Sequence, residues 1–266
     1  MRGLHFYIIL VVGSIAMGCF SNKEAIDETS QEAPDMHTSR ISLDWPGSYI
    51  GLLWCDHCGG EFYGIHLEEN QNYRLKKVHL GGCEPMSVQS GQFTWTNGDN
   101  AVQLGENEVF QVHEFALVQE TIYLVPTMKN GTNSSSEKLR FPQVDVGPLA
   151  NEIPADLLGD WGVYRRFEKN GKVIENTFST LSFTDGGKIR GESACNAYHG
   201  TFSVPATHRL DLSPISSTKM SCPNLSAEKE YYGALSQATY YFRFGEYLII
   251  ISEDLQPLIW ALGKVK

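Results

Sequence analysis

Long hydrophobic runs, clusters of basic residues and catalytic motifs are all missing from this chain of 266 residues. A helix that crosses a bilayer needs about 20 apolar residues, and the longest apolar stretch, residues 6–15, is half that length. The 21 basic residues are outnumbered by 31 acidic ones and form no cluster, which argues against binding to nucleic acid or to anionic lipid headgroups. The sequence contains no nucleophile elbow, GxGxxG or HExxH motif, so we predict that the protein is not an enzyme.

The short apolar stretch is typical of a secretion signal. Arg2 places a positive charge before it, and Ala16-Met17-Gly18 directly precede Cys19, which is the arrangement of a bacterial lipobox. We therefore predict that residues 1–18 are a lipoprotein signal peptide and that Cys19 is the acylated first residue of the mature protein. The alternative is an ordinary secretion signal that leaves Cys19 unmodified.

Residues 19–42 are polar and acidic and show no apolar periodicity. We predict that they form a flexible tether between the lipid anchor and the first domain. Phe20 follows Cys19, whereas an Asp there would favour retention in the inner membrane of enteric bacteria. The expected location is therefore the cell envelope, with acyl chains in the outer membrane and the protein facing the periplasm.

Five cysteines remain once Cys19 is assigned to lipid. They are Cys55, Cys58, Cys83, Cys195 and Cys222. Disulfides persist in the oxidising envelope, but five is an odd number. At least one of these thiols must therefore be free, bound to metal or paired with another molecule.

Residues 43–126 contain eight short runs rich in aromatic and β-branched side chains, bounded by Gly, Asn and Asp. Several runs alternate, and residues 97–100 (Asn-Gly-Asp-Asn) predict a hairpin, so we expect an antiparallel meander or barrel. Residues 127–154 are rich in Ser and Asn and then in Pro, which predicts an interdomain linker.

The pattern of residues 155–266 again predicts strands, interrupted by one helix. Ser226 is a plausible N-cap for that helix. A stripe at the i, i+3, i+4, i+7 spacing predicts the face that packs on the sheet; it consists of Tyr231, Ala234, Leu235 and Ala238.

The segment Cys55-Asp56-His57-Cys58 carries the most suggestive chemistry in the first domain. Two cysteines at this spacing can close a disulfide, or clamp Cu(I) or Zn(II) with His57 or Cys83 as further ligands. A thioredoxin-like exchange site would be followed by a helix, but Gly59-Gly60 and another strand follow here. The disulfide and the metal site remain as the main alternatives.

The first domain resembles the NlpE-type copper-resistance and envelope-stress lipoproteins over about residues 43–125. The shared features are a Gly-x-Tyr-x-Gly strand at 47–51, C-x-x-C-x-G at 55–60 and Gly-x-Phe-x-Trp at 91–95. The resemblance implies a lipocalin-like barrel that reports copper, surface contact or faulty lipoprotein and disulfide biogenesis. A barrel of this size could hold a small apolar ligand, or it could be filled by its own aromatic side chains. Trp54 stands where the family often has Pro, and Cys83 is an additional cysteine.

The second domain resembles the META/HslJ domain over about residues 157–262. The shared features are Gly-x-x-x-Cys-Asn-x-Tyr-x-Gly at 191–200 and Thr-x-Met-x-Cys-Pro at 218–223, followed by the helix. The resemblance implies a compact β-rich domain without established enzymatic chemistry, in which Cys195 and Cys222 are bridged; two buried free thiols are the alternative. The other motif residues are expected to be structural, with a turn at Asn196, a core-filling side chain at Met220, and Tyr198 and Thr218 in supporting positions.

The predicted protein is thus mostly β, with an N-terminal lipocalin-like antiparallel barrel and a C-terminal META/HslJ-like domain that carries one packed helix. We expect a non-enzymatic envelope lipoprotein in stress sensing or in copper and redox homeostasis, with an envelope-stress sensor as its protein partner. No cofactor is required by this interpretation. The alternatives are a copper- or zinc-binding protein that uses the C-x-x-C site, and a thiol-disulfide oxidoreductase.

Overall fold

The computed structural model describes residues 37–54, 59–127, 131–147, 153–175, 178–221 and 223–263. The predicted signal peptide, Cys19, most of the tether, the C-x-x-C segment at 55–58 and Cys222 lie outside these ranges. Within them, strands dominate and only two helices occur, so the prediction of a mostly β protein is confirmed. None of the helices in the described ranges is both long and apolar enough to cross a membrane.

The first domain consists of two antiparallel meanders that follow a short helix, α1 (Ser39–Ser42). The first sheet contains β1 (Gly47–Leu53), β2 (Glu61–Leu67), β3 (Asn72–His79) and β4 (Ser87–Gln92). The second contains β5 (Thr94–Thr96), β6 (Ala101–Leu104), β7 (Glu108–His113), β8 (Ala116–Thr127) and β9 (Gly131–Pro142). A bridge between Tyr49 and Gln143 brings the end of β9 back to β1, so the sheets form a nearly closed barrel, as predicted.

Much of the segment predicted as a linker, residues 127–154, is a strand. β9 pairs with β8 over its whole length, from Gly131 opposite Thr127 to Pro142 opposite Ala116. The hydrogen bonds of a hairpin join backbone groups, which Ser and Asn supply as other residues do. A Ser- and Asn-rich sequence therefore does not prevent the hairpin. In the sequence, Asn130-Gly131 is a hairpin signal that the loop-like composition concealed.

The second domain is built on one large antiparallel sheet. Its strands are β10 (Gly159–Phe167), β11 (Val173–Glu175), β12 (Thr180–Phe183), β13 (Lys188–Glu192), β14 (Ala197–Ser203), β15 (Asp211–Leu212), β16 (Ser216–Ser217), β17 (Ala238–Phe244), β18 (Tyr247–Ser252) and β19 (Pro257–Gly263). The strand order is β15-β14-β13-β12-β10-β19-β18-β17, with β11 on β10 and β16 on β14. Helix α2 (Leu225–Ser236) interrupts the strands between β16 and β17.

Helix α2 differs from its prediction at both ends. Asn224 occupies the N-cap position, so the expected cap Ser226 lies inside the first turn. Tyr231 and Leu235 are buried in the core of the second domain, as the stripe requires. Ala238 does not extend that stripe, because the helix ends at Ser236 and Ala238 begins β17.

Three hydrophobic layers hold the described chain together. One fills the barrel, a second lies between the large sheet and α2, and a third is shared by both domains. The shared layer contains Ile50, Leu52, Phe62, Val78, Leu80 and Val144 from the first domain, and Phe167, Tyr240, Phe242, Ile249, Ile251, Leu255 and Trp260 from the second. The described residues of the two domains accordingly form one compact unit.

Strands on both sides of the shared layer are buried on both faces. In β1, Tyr49 belongs to the barrel core while its neighbour Ile50 belongs to the shared layer. In β18, Leu248 belongs to the core of the second domain while Ile249 belongs to the shared layer. Because successive side chains of a strand point to opposite faces, the two domains pack sheet against sheet. The two domains therefore meet through a shared core.

Candidate functional site at the domain junction

Cys83 lies in an exposed turn that follows β3, and it is disulfide-bonded. The backbone N–H of Gly82 donates to the carbonyl of His79 at 2.9 Å and closes the turn. Gly82 has a φ of +71°, which a residue without Cβ adopts without strain. The thiol that appeared surplus in the sequence is therefore oxidised.

The two residues that follow the C-x-x-C segment lie beside this turn. The N–H of Leu80 donates to the carbonyl of Gly60 at 2.9 Å. Gly59 has a φ of +67°, and a Cβ at this position would lie 2.9 Å from the Cη2 atom of Trp260. The chain thus leaves the C-x-x-C segment through a close contact with the second domain and runs alongside the residues that lead to Cys83.

The residue that precedes the C-x-x-C segment is held by the second domain as well. The ring of Trp54 stacks against Phe244 at a centroid distance of 6.2 Å and against Tyr247 at 5.8 Å. Both ends of the segment are therefore fixed at the domain junction. This placement was not predicted, because the sequence does not reveal which surface of the barrel the second domain covers.

Polar contacts also cross the junction. The guanidinium of Arg165 on β10 donates to the carbonyl of Leu80 at 2.9 Å. The ammonium of Lys76 on β3 donates to the backbone carbonyl of Asp254 at 2.8 Å and to its carboxylate at 3.0 Å. Burial would raise the pKa of the Asp254 carboxyl, but hydrogen bonds from Ser252 and Lys76 and the charge of Lys76 hold it below the ordinary value.

The described residues do not assemble a metal centre on their own. His79 comes nearest: its Nε2 lies 3.4 Å from a carboxylate oxygen of Glu61 and 3.3 Å from one of Glu84. No group of three or more His, Cys, Asp or Glu side chains in the described part of the chain could hold a metal ion. The predicted ligands Cys55, His57 and Cys58 lie outside it, so copper or zinc binding stays a prediction.

In the second domain, Cys195 is also disulfide-bonded. Its predicted partner, Cys222, lies outside the described residues. The backbone before Cys222 nevertheless runs next to Cys195, because the N–H of Thr218 donates to the carbonyl of Ala197 at 3.0 Å. The carboxamide oxygen of Asn196 accepts from the N–H of Met220 at 2.7 Å.

Asn196 lies at the centre of a buried polar network that the sequence only partly indicates. Its Oδ1 also accepts from the Thr218 hydroxyl at 2.7 Å, and its Nδ2 donates to the two carboxylate oxygens of Glu228 at 2.9 and 3.1 Å. The hydroxyl of Ser193 donates to the same carboxylate. Glu228 is only 7% exposed although it lies in the first turn of α2. The signal that could have identified it is its position three residues before Tyr231, on the apolar stripe.

Met220 does not fill the core as expected, since it is 60% exposed. The contact at this position is made by the backbone N–H of Met220, which donates to Asn196. Any residue except proline supplies this donor. Tyr198 is buried, and its hydroxyl lies 2.7 Å from that of Tyr231 and donates to the carbonyl of Thr180 at 2.7 Å. Burial raises the pKa of both tyrosines above the ordinary value.

The barrel interior is a packed aromatic core. Trp45 and Phe93 contact each other edge to face at a centroid distance of 5.6 Å, and Phe110 and Phe141 do so at 5.4 Å. These rings belong to one buried cluster with Tyr49. Binding of a small apolar ligand inside the barrel stays a prediction.

Comparison with known proteins finds two family models that match parts of the chain. Residues 49–137 match the family model of the NlpE N-terminal domain, and residues 158–262 match that of the META domain. No curated protein matches the chain.

Three solved structures are similar to parts of the chain. A Shewanella oneidensis protein designated a lipoprotein has 27% identity, covering 40% of this chain and 95% of its own, with a TM-score of 0.33. A Burkholderia xenovorans protein has 16% identity, covering 53% and 100%, with a TM-score of 0.36. The Cpx pathway activator NlpE of Escherichia coli has 13% identity, covering 65% and 95%, with a TM-score of 0.25. The chain is thus similar to an NlpE N-terminal domain over residues 49–137 and to a META domain over residues 158–262.

Proposed function

We propose that this protein is a non-enzymatic lipoprotein of the bacterial envelope that reports redox or copper stress to an envelope sensor protein. The lipobox-like sequence that ends at Cys19 supports the anchor, with the outer membrane as the proposed site. The match to the NlpE N-terminal domain supports a role in envelope stress. The proposed sensing element is the set of three cysteines in the first domain, Cys55, Cys58 and Cys83.

One observation carries this proposal: Cys83 is disulfide-bonded in a turn that lies against the residues following Cys58. Gly59 and Gly60 directly follow Cys58, and Gly60 is hydrogen-bonded to Leu80, three residues before Cys83. We therefore propose that Cys83 is paired with Cys55 or Cys58. The remaining cysteine of the C-x-x-C segment is then a thiol next to a disulfide.

Three cysteines that share one disulfide can exchange the partner of that disulfide without net oxidation or reduction. The third thiolate attacks a sulfur of the Cys83 disulfide, so one S–S bond breaks, another forms, and the leaving sulfur takes up the proton. This exchange needs no external oxidant. Reduction by an envelope dithiol, which is itself oxidised to a disulfide, instead opens the bond with two electrons and two protons and leaves two thiols, whose deprotonated forms suit Cu(I).

The domain junction is the proposed output of this chemistry. Trp54 and Gly59, at the two ends of the C-x-x-C segment, both contact aromatic residues of the second domain. Opening or exchanging the disulfide changes the constraint on these contacts. The resulting change in the surface at the junction is what the sensor protein would recognise.

Disulfide mapping of the full chain isolated from the envelope tests the pairing. Free thiols are blocked before digestion, and the peptides are compared with and without reductant. We expect Cys83 linked to Cys55 or Cys58, one blocked thiol in the C-x-x-C segment, and Cys195 linked to Cys222. A Cys55–Cys58 link with Cys83 blocked as a free thiol contradicts the proposal.

A reporter of envelope stress in living cells tests the function. Cys83→Ser removes the proposed disulfide, and we expect it to raise the reporter signal above that of the wild type under oxidising conditions. Cys195→Ser is the matched control, because it removes a disulfide in the second domain. Equal signals from wild type and Cys83→Ser at equal protein abundance would refute the redox role.

Metal binding is the second candidate, supported by the C-x-x-C spacing. After reduction, titration with Cu(I) and with Zn(II) is expected to give one equivalent of bound metal that Cys55→Ser and Cys58→Ser abolish. Absence of metal binding after full reduction rules out the metal site.

The third candidate is an oxidoreductase. Turnover of a model disulfide substrate by the same sample would favour it.

A further inference from the structure

A cleft opens where the outer face of the first sheet leaves the cover of the second domain. Its volume is about 440 Å³, within the roughly 300–1,000 Å³ that small-molecule sites occupy. One wall belongs to β1, β2 and β3, and the other belongs to Tyr240 and the β18–β19 turn. The cleft lies beside Ser48 at the start of β1, whereas Cys55 follows the end of that strand.

The strand register places three polar side chains in a row on the first wall. Ser48 of β1 is the cross-strand partner of His66 on β2, and His66 is the cross-strand partner of Arg74 on β3. Cross-strand partners project from the same face of a sheet, so these side chains are direct neighbours. The same face carries Ile50 and Phe62 further along the strands, and there the second domain covers it. The polar row lies beyond that cover, with Ser48 and His66 half-buried and Arg74 exposed.

This row offers hydrogen-bond donors that no described residue accepts. The hydroxyl of Ser48 lies 2.9 Å from Nδ1 of His66, so one of these two groups donates to the other. A neutral imidazole carries a hydrogen on only one nitrogen. If Nδ1 accepts, Nε2 keeps a free N–H; if Nδ1 donates, the Ser48 hydroxyl keeps a free O–H. The guanidinium of Arg74 forms no ion pair or hydrogen bond with a described residue, so its charge is available to a ligand.

The second wall presents the opposite charge on a fixed turn. Glu253 is exposed and forms no ion pair with a described residue, while the carboxylate of the neighbouring Asp254 is already paired with Lys76. The N–H of Leu255 donates to the carbonyl of Ser252 at 3.0 Å and closes the turn. The backbone from which the Glu253 carboxylate extends is therefore held in place.

The two unpaired charges, Arg74 and Glu253, select the charge type of a ligand. Both line the cleft, but they form no ion pair with each other. A simple anion on Arg74 would lie near the carboxylates of the second wall, and a simple cation on Glu253 would lie near the guanidinium. A molecule that carries both charges satisfies both walls. Because the charges stand on opposite walls, such a ligand carries them at its two ends, unlike a free α-amino acid, in which one carbon bears both.

We propose that this cleft binds a short peptide with both termini free, of which a dipeptide is the simplest example. The terminal carboxylate accepts from Arg74 through two parallel hydrogen bonds, and also from the remaining donor of the pair formed by Ser48 and His66. The terminal ammonium donates to Glu253, and an apolar side chain of the peptide packs on Leu255. The site is independent of the cysteine chemistry proposed above.

Binding is tested by titration calorimetry on the purified full chain, with glycyl-leucine as the probe. Glycyl-leucinamide lacks the carboxylate, and N-acetylglycyl-leucine lacks the ammonium. We expect saturable binding of one glycyl-leucine per chain, and binding at least tenfold weaker for each blocked analogue and for free leucine. A tenfold loss corresponds to about 1.4 kcal/mol.

Two variants assign each charge of the ligand to its wall. Arg74→Gln is expected to weaken glycyl-leucine binding at least tenfold but to bind glycyl-leucinamide as the wild type does. Glu253→Gln is expected to weaken glycyl-leucine binding equally but to bind N-acetylglycyl-leucine as the wild type does. The matched controls are Arg190→Gln on β13 and Glu246→Gln in the β17–β18 turn, since both residues are exposed and neither lines the cleft. The controls are expected to bind glycyl-leucine within twofold of the wild type.

A measurement on the wild type accompanies these variants. The chain has eight histidines, and the ring resonance of His66 is expected to be the one that shifts most when glycyl-leucine is added. Blocked analogues or free leucine that bind as tightly as glycyl-leucine, no saturation at millimolar dipeptide, or a shift confined to other histidines would each overturn the proposal. The cleft would then be a crevice filled by solvent only, and the disulfide mapping described above would be unaffected.

Discussion

Lys76 and Asp254 join the two domains by a double contact: the Lys76 ammonium donates to both the backbone carbonyl and the carboxylate of Asp254. The two ends of this pair have very different environments. The Lys76 side chain is only 8% exposed, whereas the Asp254 side chain is 64% exposed. The lysine is therefore the member of the pair that depends on its partner.

Replacing Lys76 by methionine is expected to lower the free energy of unfolding by about 1 kcal/mol, because the aliphatic stem remains while the two hydrogen bonds are lost. Urea denaturation of wild type and variant measures the difference. Lys169→Met is the control, since Lys169 is exposed and forms no ion pair within the described residues. A Lys76 variant as stable as the control would show that the pair contributes nothing.

The contribution of Asp254 to the free energy of unfolding is expected to depend on pH. Hydrogen bonds from Ser252 and Lys76 and the charge of Lys76 hold the pKa of this carboxyl below its ordinary value of 3.8, and they outweigh the opposing effect of burial. Its stabilisation is therefore complete at neutral pH and is lost as the pH falls through the folded-state pKa.

Asp254→Asn tests this dependence. The difference in unfolding free energy between wild type and Asp254→Asn should be largest at neutral pH and should shrink in acid. Denaturant titrations at a series of pH values measure it. A difference that grows as the pH falls would contradict a lowered pKa for the Asp254 carboxyl.

Gly64 is expected to be intolerant of any side chain. A Cβ added there would lie 2.6 Å from the Cβ of Leu255 and 2.9 Å from its carbonyl oxygen, so the second domain would have to move. Overpacking of this kind costs about 1–3 kcal/mol. Thermal or urea unfolding of Gly64→Ala measures the loss.

The matched substitution is Gly233→Ala in helix α2, where an added Cβ would meet nothing within 4 Å. Because alanine favours the helix more than glycine does, this variant is expected to be more stable by about 0.5–1 kcal/mol. If both alanine variants changed stability equally, the close packing at Gly64 would not be the cause.

Glu228→Gln is expected to lower the free energy of unfolding by about 1–3 kcal/mol, since the new amide N–H₂ would face the donors Ser193 and Asn196. Glu253→Gln on the exposed β18–β19 turn is the control and should change stability little. Equal effects of the two variants in urea denaturation would show that the buried network is not needed for the fold.

Alternating apolar residues and Gly-rich turns were sufficient to predict the strands of both domains, because that pattern follows directly from the pleat. The strand β9 was missed because a hairpin held by backbone bonds leaves little trace in a Ser- and Asn-rich sequence. The burial of Glu228 was missed because an acidic residue in the first turn of a helix usually faces solvent near the helix dipole.

The strands that flank the shared layer are recognisable in the sequence. Residues 49–54 and 247–251 are runs of apolar and aromatic residues with almost no polar interruption, and such runs indicate strands buried on both faces. What the sequence does not reveal is which of these faces meet. That depends on side-chain fit across the junction, which separates Gly64 from Leu255 by 191 residues.

Because the two domains pack sheet against sheet, folding cannot be completed until both have been synthesised and exported. The barrel emerges first from the ribosome or the export channel, yet the strands that cover Ile50, Phe62 and Val78 end only at Gly263. Until residues up to Gly263 have been delivered, an apolar sheet face remains open to water. Such a face attracts other incomplete chains, so we expect newly made protein to require a holding chaperone that releases it only after the last strand has arrived.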